Sequence, residues 1–297
     1  MIRYPISDPD LRAEINRQKR GWLAKAEKRT ANFAAAGKYD EKAGIWSEIK
    51  PVYVRLQHNK CGFCERKLSD ETHGLIEHDV EHFRPKSTVS AWPPTALKAR
   101  FGYSFSTGDA WAPGYYMLAY HPWNYLAACK PCNSALKSSF FPLAGPRAAD
   151  PSLATDPWQL NDEQPFLIYP IGELDEDPAE LITFYGNMPR PVHRSGARNR
   201  RARVTIDFFE LHTREDLLEE RAMWIIGLWT ALRLVQTGTA QDKAMAEGHI
   251  RRCVSPRAPH ANCLRAFHDL AQRSSGEAAS IAEQLHQYLS TKVRSDP

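Results

Sequence analysis

Glu81 and His82 stand side by side in the run HDVEHFRPKS, and this run lies between two identical short cysteine pairs, Cys61/Cys64 (CGFC) and Cys129/Cys132 (CKPC). Four thiolates at these spacings suit a closed tetrahedral zinc site, whose binding energy would clamp together segments unable to bury enough surface alone. In a reducing compartment such pairs serve as metal ligands more often than as disulfides. If the pairs close on one another, the strand bearing Glu81 and His82 comes alongside the segment bearing Asn124 in NYLAACKPCNSALK, and Asn133 starts the following helix. A hairpin packed on a helix is expected, with His82 facing Glu81 and Asn133 across a small cleft. A carboxylate and a carboxamide oxygen are hard ligands, so Glu81 and Asn133 would hold Mg²⁺ or Mn²⁺. Such a cleft suits hydrolysis of a phosphodiester: the neutral imidazole of His82 would take a proton from an attacking water, Asn124 would brace the hairpin, and Arg84, Lys86 and Lys137 would position neighbouring phosphates.

The chain has 297 residues, 42% hydrophobic and 25% charged, with a formal charge of +4. That is the composition of a globular protein, and the mild positive charge permits a polyanionic partner without requiring one. The N-terminal segment has no apolar core of the secretory kind, and Ala110 to Cys129 is interrupted by Pro113, Pro122, His121 and Asn124, so cytoplasmic residence without a membrane span is the expectation. Residues 1–58 read as a helical region. Ser7 or Asp8 caps a first helix that holds Leu11, Ile15, Trp22 and Ala26, and a second after Gly37 is kinked or split by Pro51. Residues 59–145 form the zinc-stapled module. Residues 146–297 are a connector with strand-like runs (PFLIYP, LITFYG), an Arg-rich loop (Arg190 to Arg203), then helices, the clearest starting with a capping box of Thr213 and Asp216. The fold class is therefore mainly α around a small metal-stapled module. Cys253 and Cys263 fit no ligand spacing and read as buried thiols.

The motifs DVEHFRPKS and NYLAACKPCNSALK resemble the HNH (ββα-metal) nucleases, with His82 in the general-base position, Asn124 in the middle position and Asn133 in the last metal-ligand position. Glu81 stands where many of them carry Asp, and Asn133 where the name expects His. The oxygen in place of nitrogen favours Mg²⁺ or Mn²⁺ over Zn²⁺ or Ni²⁺. The longer set KCGFCERKL, VEHFRPKS, YYMLAYHPWNYLAACKPCN, FFPL and TIDFFELHTREDLLEER resembles the bacterial anti-phage group that includes the HNH subunit of Septu systems and the HNH proteins accompanying some retrons. That resemblance implies a metal-dependent endonuclease acting on DNA, or less often RNA, partnered in two-gene systems by an ABC/SMC-like ATPase. Two other readings of the same residues are a zinc-bearing binding module without catalysis and a thiol redox protein.

Overall fold

The computed structural model describes residues 1–68 and 78–293. It is mainly helical with two small antiparallel hairpins. Helix α1 (Asp8–Gln18) is capped by Ser7, whose side chain accepts from the Asp10 amide, with proline in the first turn as the sequence suggests. The helix does not run on to Ala26. Gly21 adopts a left-handed φ of 75°, breaking the chain before α2 (Trp22–Ala36), so Leu11 and Ile15 meet Trp22 and Ala26 by packing of two helices. A 3₁₀ turn at Trp46–Ile49 precedes α3 (Lys50–Leu56), the split falling at Pro51.

Strand β1 (His78–His82), short helix α4 (Lys98–Phe101) and strand β2 (Tyr125–Cys129) follow. β1 pairs antiparallel with β2, placing Glu81 opposite Leu126 and His82 opposite Tyr125. β2 is buried along its whole length. A two-stranded hairpin is marginal in water, so this one depends on what covers it. Gln57 at the end of α3 donates to the Ala127 carbonyl at 2.8 Å and accepts from the Ala127 amide at 2.7 Å, closing an edge of β2. After β1 the Arg-Pro-Lys run is held down by a close backbone approach. Gly114 (φ 66°) lies where a Cβ would come 1.9 Å from the Ser87 carbonyl oxygen, and the next amide, Tyr115, donates to Pro85.

Downstream come α5 (Pro178–Leu181), the hairpin β3 (Ile182–Tyr185) and β4 (Met188–Pro191), and helices α6 (Gly196–Phe208), α7 (Glu215–Thr237), α8 (Ala240–Val254), α9 (Ala261–Arg273) and α10 (Ser275–Val293). Three local expectations differ here. LITFYG supplies β3, but PFLIYP is a buried extended segment making only single bridges, Leu143 to Pro165 and Tyr4 to Ile171, because no neighbouring strand runs beside it. The arginine-rich run is mostly helix α6, not a loop, since Arg and Ala are strong helix formers and Arg198 and Arg201 find Glu176 and Asp175. The capping box at Thr213 does not form. Arg214 is the cap residue of α7 and holds Asp216 through its guanidinium, while a capping box does form at Thr239 and Asp242 on α8. One hydrophobic cluster runs through the helices and the β1–β2 hairpin. Among the described residues, no helix is long and apolar enough to cross a membrane.

Candidate metal and hairpin site

Cys61, Cys64, Cys129 and Cys132 are buried, and their sulfurs all lie within 4.8 Å of one another. Cys64 and Cys129 are 3.8 Å apart. Zinc–sulfur bonds of about 2.3 Å in a tetrahedron require sulfurs ~3.8 Å apart, so the donor set fits a structural zinc. Electrostatics agrees. Burial holds the Cys61 and Cys132 thiols well above their ordinary pKa, while hydrogen bonds from Cys132, Cys61 and Cys64 pull Cys129 down. Four buried sulfurs cannot all carry charge without a cation among them. Arg214 adds a neighbour that the sequence did not announce, its guanidinium donating to Cys132 Sγ at 3.3 Å, where it would offset the excess negative charge of a four-thiolate site. Phe63, inside the first pair, stacks on Phe209 beyond α6, with ring centres 4.1 Å apart, tying the cysteine loop to the downstream helices. Cys253 and Cys263 are buried and stand apart from this cluster.

The second cysteine pair feeds a π-helical segment, Pro131–Lys137, whose wide turn closes on the Ser138 amide donating to the Asn133 carbonyl at 2.7 Å. Asn133 and Lys137 of this segment both turn toward β1. Strand alternation places Asp79 and Glu81 on one face of β1 and His82 on the other. Lys137, fully buried, lies 3.3 Å from the Glu81 carboxylate and donates to the His82 carbonyl at 3.4 Å. Asn133 forms no hydrogen bond with Glu81 or His82. Its amide donates to Asp79 at 3.0 Å, and the same Asp79 oxygen accepts from Lys130 at 2.6 Å. Asp79 was absent from the sequence-derived set, yet the two-residue period of a strand with Glu81 was the signal for it. Burial raises the Glu81 pKa to about 7 against the opposing pull of Lys137 and Lys86.

His82 is buried among Trp46 and Tyr125, edge-on to both rings at 4.8 and 5.0 Å. Its Nε2 lies 3.0 Å from the Ala119 carbonyl, which also accepts from the Tyr125 hydroxyl. A carbonyl only accepts, so Nε2 carries the proton and Nδ1 presents its lone pair. Nδ1 has no hydrogen-bond partner among the described residues. Burial, then the Lys86 charge, hold the imidazole pKa well below its ordinary value, keeping the ring neutral. Lys86, lying over the Trp46 and Tyr39 rings, acts on both His82 and Glu81 and is the common neighbour of the two faces.

Two expected phosphate contacts take other positions. Arg84 is buried, its guanidinium 2.7 Å from Glu163 and stacked over Tyr115 and Phe141, because a buried guanidinium must be paired. Removing one partner of such a pair costs about 3–5 kcal/mol. Lys137 is likewise enclosed against Glu81. Asn124 is buried and braces the turn. It accepts from the Arg84 amide at 2.7 Å and donates to the Arg84 and Leu118 carbonyls at 3.0 and 3.1 Å.

Fold and site together define a mainly helical protein with a buried four-cysteine cluster that could hold a structural metal such as zinc, packed beside an antiparallel hairpin that carries an acid and an imidazole. Over 197 residues the chain is 26% identical to the Septu protein PtuB of Bacillus mycoides (strain KBAB4), a match that covers 66% of this chain. It spans 57% of that relative's length. No family model and no solved structure match the chain.

Proposed function

We propose that this protein is a metal-dependent HNH endonuclease that hydrolyses phosphodiester bonds of DNA, serving in anti-phage defence within a multi-protein Septu-like system that includes an ABC/SMC-like ATPase. The observation that carries the reading is His82. A buried imidazole is fixed in one tautomer by a carbonyl, with its second nitrogen unpartnered among the described residues and a carboxylate next to it in the chain. Similarity to PtuB supports the defence role.

In this reading His82 Nδ1 accepts the proton of the attacking water, and the Ala119 carbonyl keeps the ring from turning away. Tyr125 and Trp46 hold the ring edge-on, so the lone pair keeps one direction. Lys86 positions a phosphate oxygen above the aromatic pair Trp46 and Tyr39. Glu81 and the Asn133 amide oxygen would hold Mg²⁺ or Mn²⁺, which when bound supplies charge stabilisation to the phosphoryl and leaving oxygens. Because the Asp79 carboxylate only accepts, it takes the Asn133 NH₂ and turns the amide oxygen the other way. Asp79 is thus a positioning residue for that oxygen. Asp79→Ala is expected to weaken Mn²⁺ binding ~10- to 100-fold, read by isothermal titration on the zinc-loaded protein. Unchanged Mn²⁺ affinity in that variant would remove Asp79 from the site.

Plasmid relaxation tests the whole reading. The purified protein, alone or with its ATPase partner, should nick supercoiled DNA in Mg²⁺ or Mn²⁺ and stop when these are withheld. Tight DNA binding with no nicking under any metal would leave a zinc-bearing binding module in its place.

A further inference from the structure

A cleft of about 730 Å³ opens between α7, the end of α8 and the turn after it, lined in part by Trp224, Gly248, Arg251, Arg252, Arg257 and Ala258. Among the described residues, no carboxylate lines it. Side chains three and four residues along a helix lean back over the preceding turn, so Arg251 and Arg252 flank position 248. That position is glycine. A Cβ there would lie 3.9 Å from Arg251 Nη2 and 3.8 Å from Arg252 Nη1, so the two guanidinium groups border a gap that any other side chain would fill. Glycine inside a helix costs stability, and like charges so placed repel.

The fold neutralises some of its arginines, as with Arg66 on Asp216 and Glu220, Arg84 on Glu163 and Arg201 on Asp175. Here it does not. Arg252 and Arg257 are exposed and form no ion pair with any described residue, and Arg251 reaches only Glu247, at 3.9 Å on the open surface. Basic residues in a last turn also complement the helix dipole. That accounts for Arg251 and Arg252, but Arg257 lies beyond the end of α8 at Val254 and still joins them. The turn is anchored through His260, whose amide donates to the Glu65 carbonyl directly after Cys64, so the cleft is fixed to the cysteine loop and stands apart from His82 and Glu81.

We infer that this cleft is a phosphate-binding site, distinct from the hairpin site, that takes either the backbone of a nucleic-acid strand or a free nucleotide, with Trp224 as its flat apolar wall. Guanidinium groups at a gap without acids are the recognition chemistry of phosphate. The test measures fluorescence anisotropy of a labelled single-stranded oligodeoxynucleotide on zinc-loaded His82→Ala protein without Mg²⁺ or Mn²⁺, and ³¹P NMR titration of dAMP as a second arm. Arg252→Ala/Arg257→Ala should weaken binding at least ~10-fold at low salt with an unchanged melting temperature. For the oligonucleotide it should also lower the salt dependence by about 1.4 in log–log slope. Arg252→Lys/Arg257→Lys should keep that slope. A loss confined to the oligonucleotide assigns the strand backbone, and one confined to dAMP assigns the nucleotide. Equal binding of both probes by wild type and the alanine variant, or binding of neither by wild type, overturns the inference.

Discussion

His82→Ala is expected to abolish plasmid cleavage, a fall of at least ~10²- to 10⁴-fold in rate, while bound zinc stays at the wild-type level. The size follows from the geometry. His82 combines a neutral ring, a fixed tautomer and a ring nitrogen with no partner among the described residues, and neither Lys86 nor Lys137 can serve as a base while protonated. The zinc level should hold because His82 is not among the cysteine ligands and the Ala119 carbonyl keeps its bond from Tyr125. Alanine leaves a void between Trp46 and Tyr125, so His82→Gln is the companion variant. Its amide can still donate to Ala119 and fill the space, but it has no basic nitrogen. Both variants should be inactive, and wild-type cleavage by either would reject His82 as the base.

Cys129→Ala is expected to lose the metal and to lower the melting temperature on the order of 10 °C or more. Structural zinc sites contribute about 10–16 kcal/mol in small zinc-binding peptides, comparable with the whole net stability of a domain, about 5–15 kcal/mol. Here the four sulfurs tie the loop before β1 to the end of β2, and Asn133 and Lys137 follow within the π-helical segment. Losing one ligand should therefore loosen the contacts of Asn133 with Asp79 and of Lys137 with Glu81 as well. Elemental analysis and thermal unfolding read the result. Wild-type protein isolated under reducing conditions without zinc, and equally stable to chelator, would show that the thiols only pack.

Several features of the fold are legible in short motifs. The two Cys-x-x-Cys pairs implied a four-sulfur cluster, Ser7 with the following proline implied a helix start, and the break at Pro51 followed from its missing amide hydrogen. The hairpin that brings the Glu81–His82 strand beside the Asn124 segment also followed from closing the cysteine pairs. The helix start and the break depend on residues a few positions apart, whereas the cluster and the hairpin join distant segments and followed from the affinity of two Cys-x-x-Cys pairs for one ion.

The partner that each charged group takes is set by the packing of distant elements, not by its neighbours in the chain. Arg84 and Lys137 read as phosphate ligands from their neighbours in the chain, yet Glu163, far along the sequence, neutralises Arg84, and Glu81 neutralises Lys137. A charge taken from water must find an opposite charge, and the nearest one in space is set by how distant elements pack. The same cause directs Asn133 to Asp79, orients His82 through a carbonyl on the loop before β2, and places Arg214 against Cys132. Residue types announced the chemistry, whereas long-range packing chose the atoms that aim it.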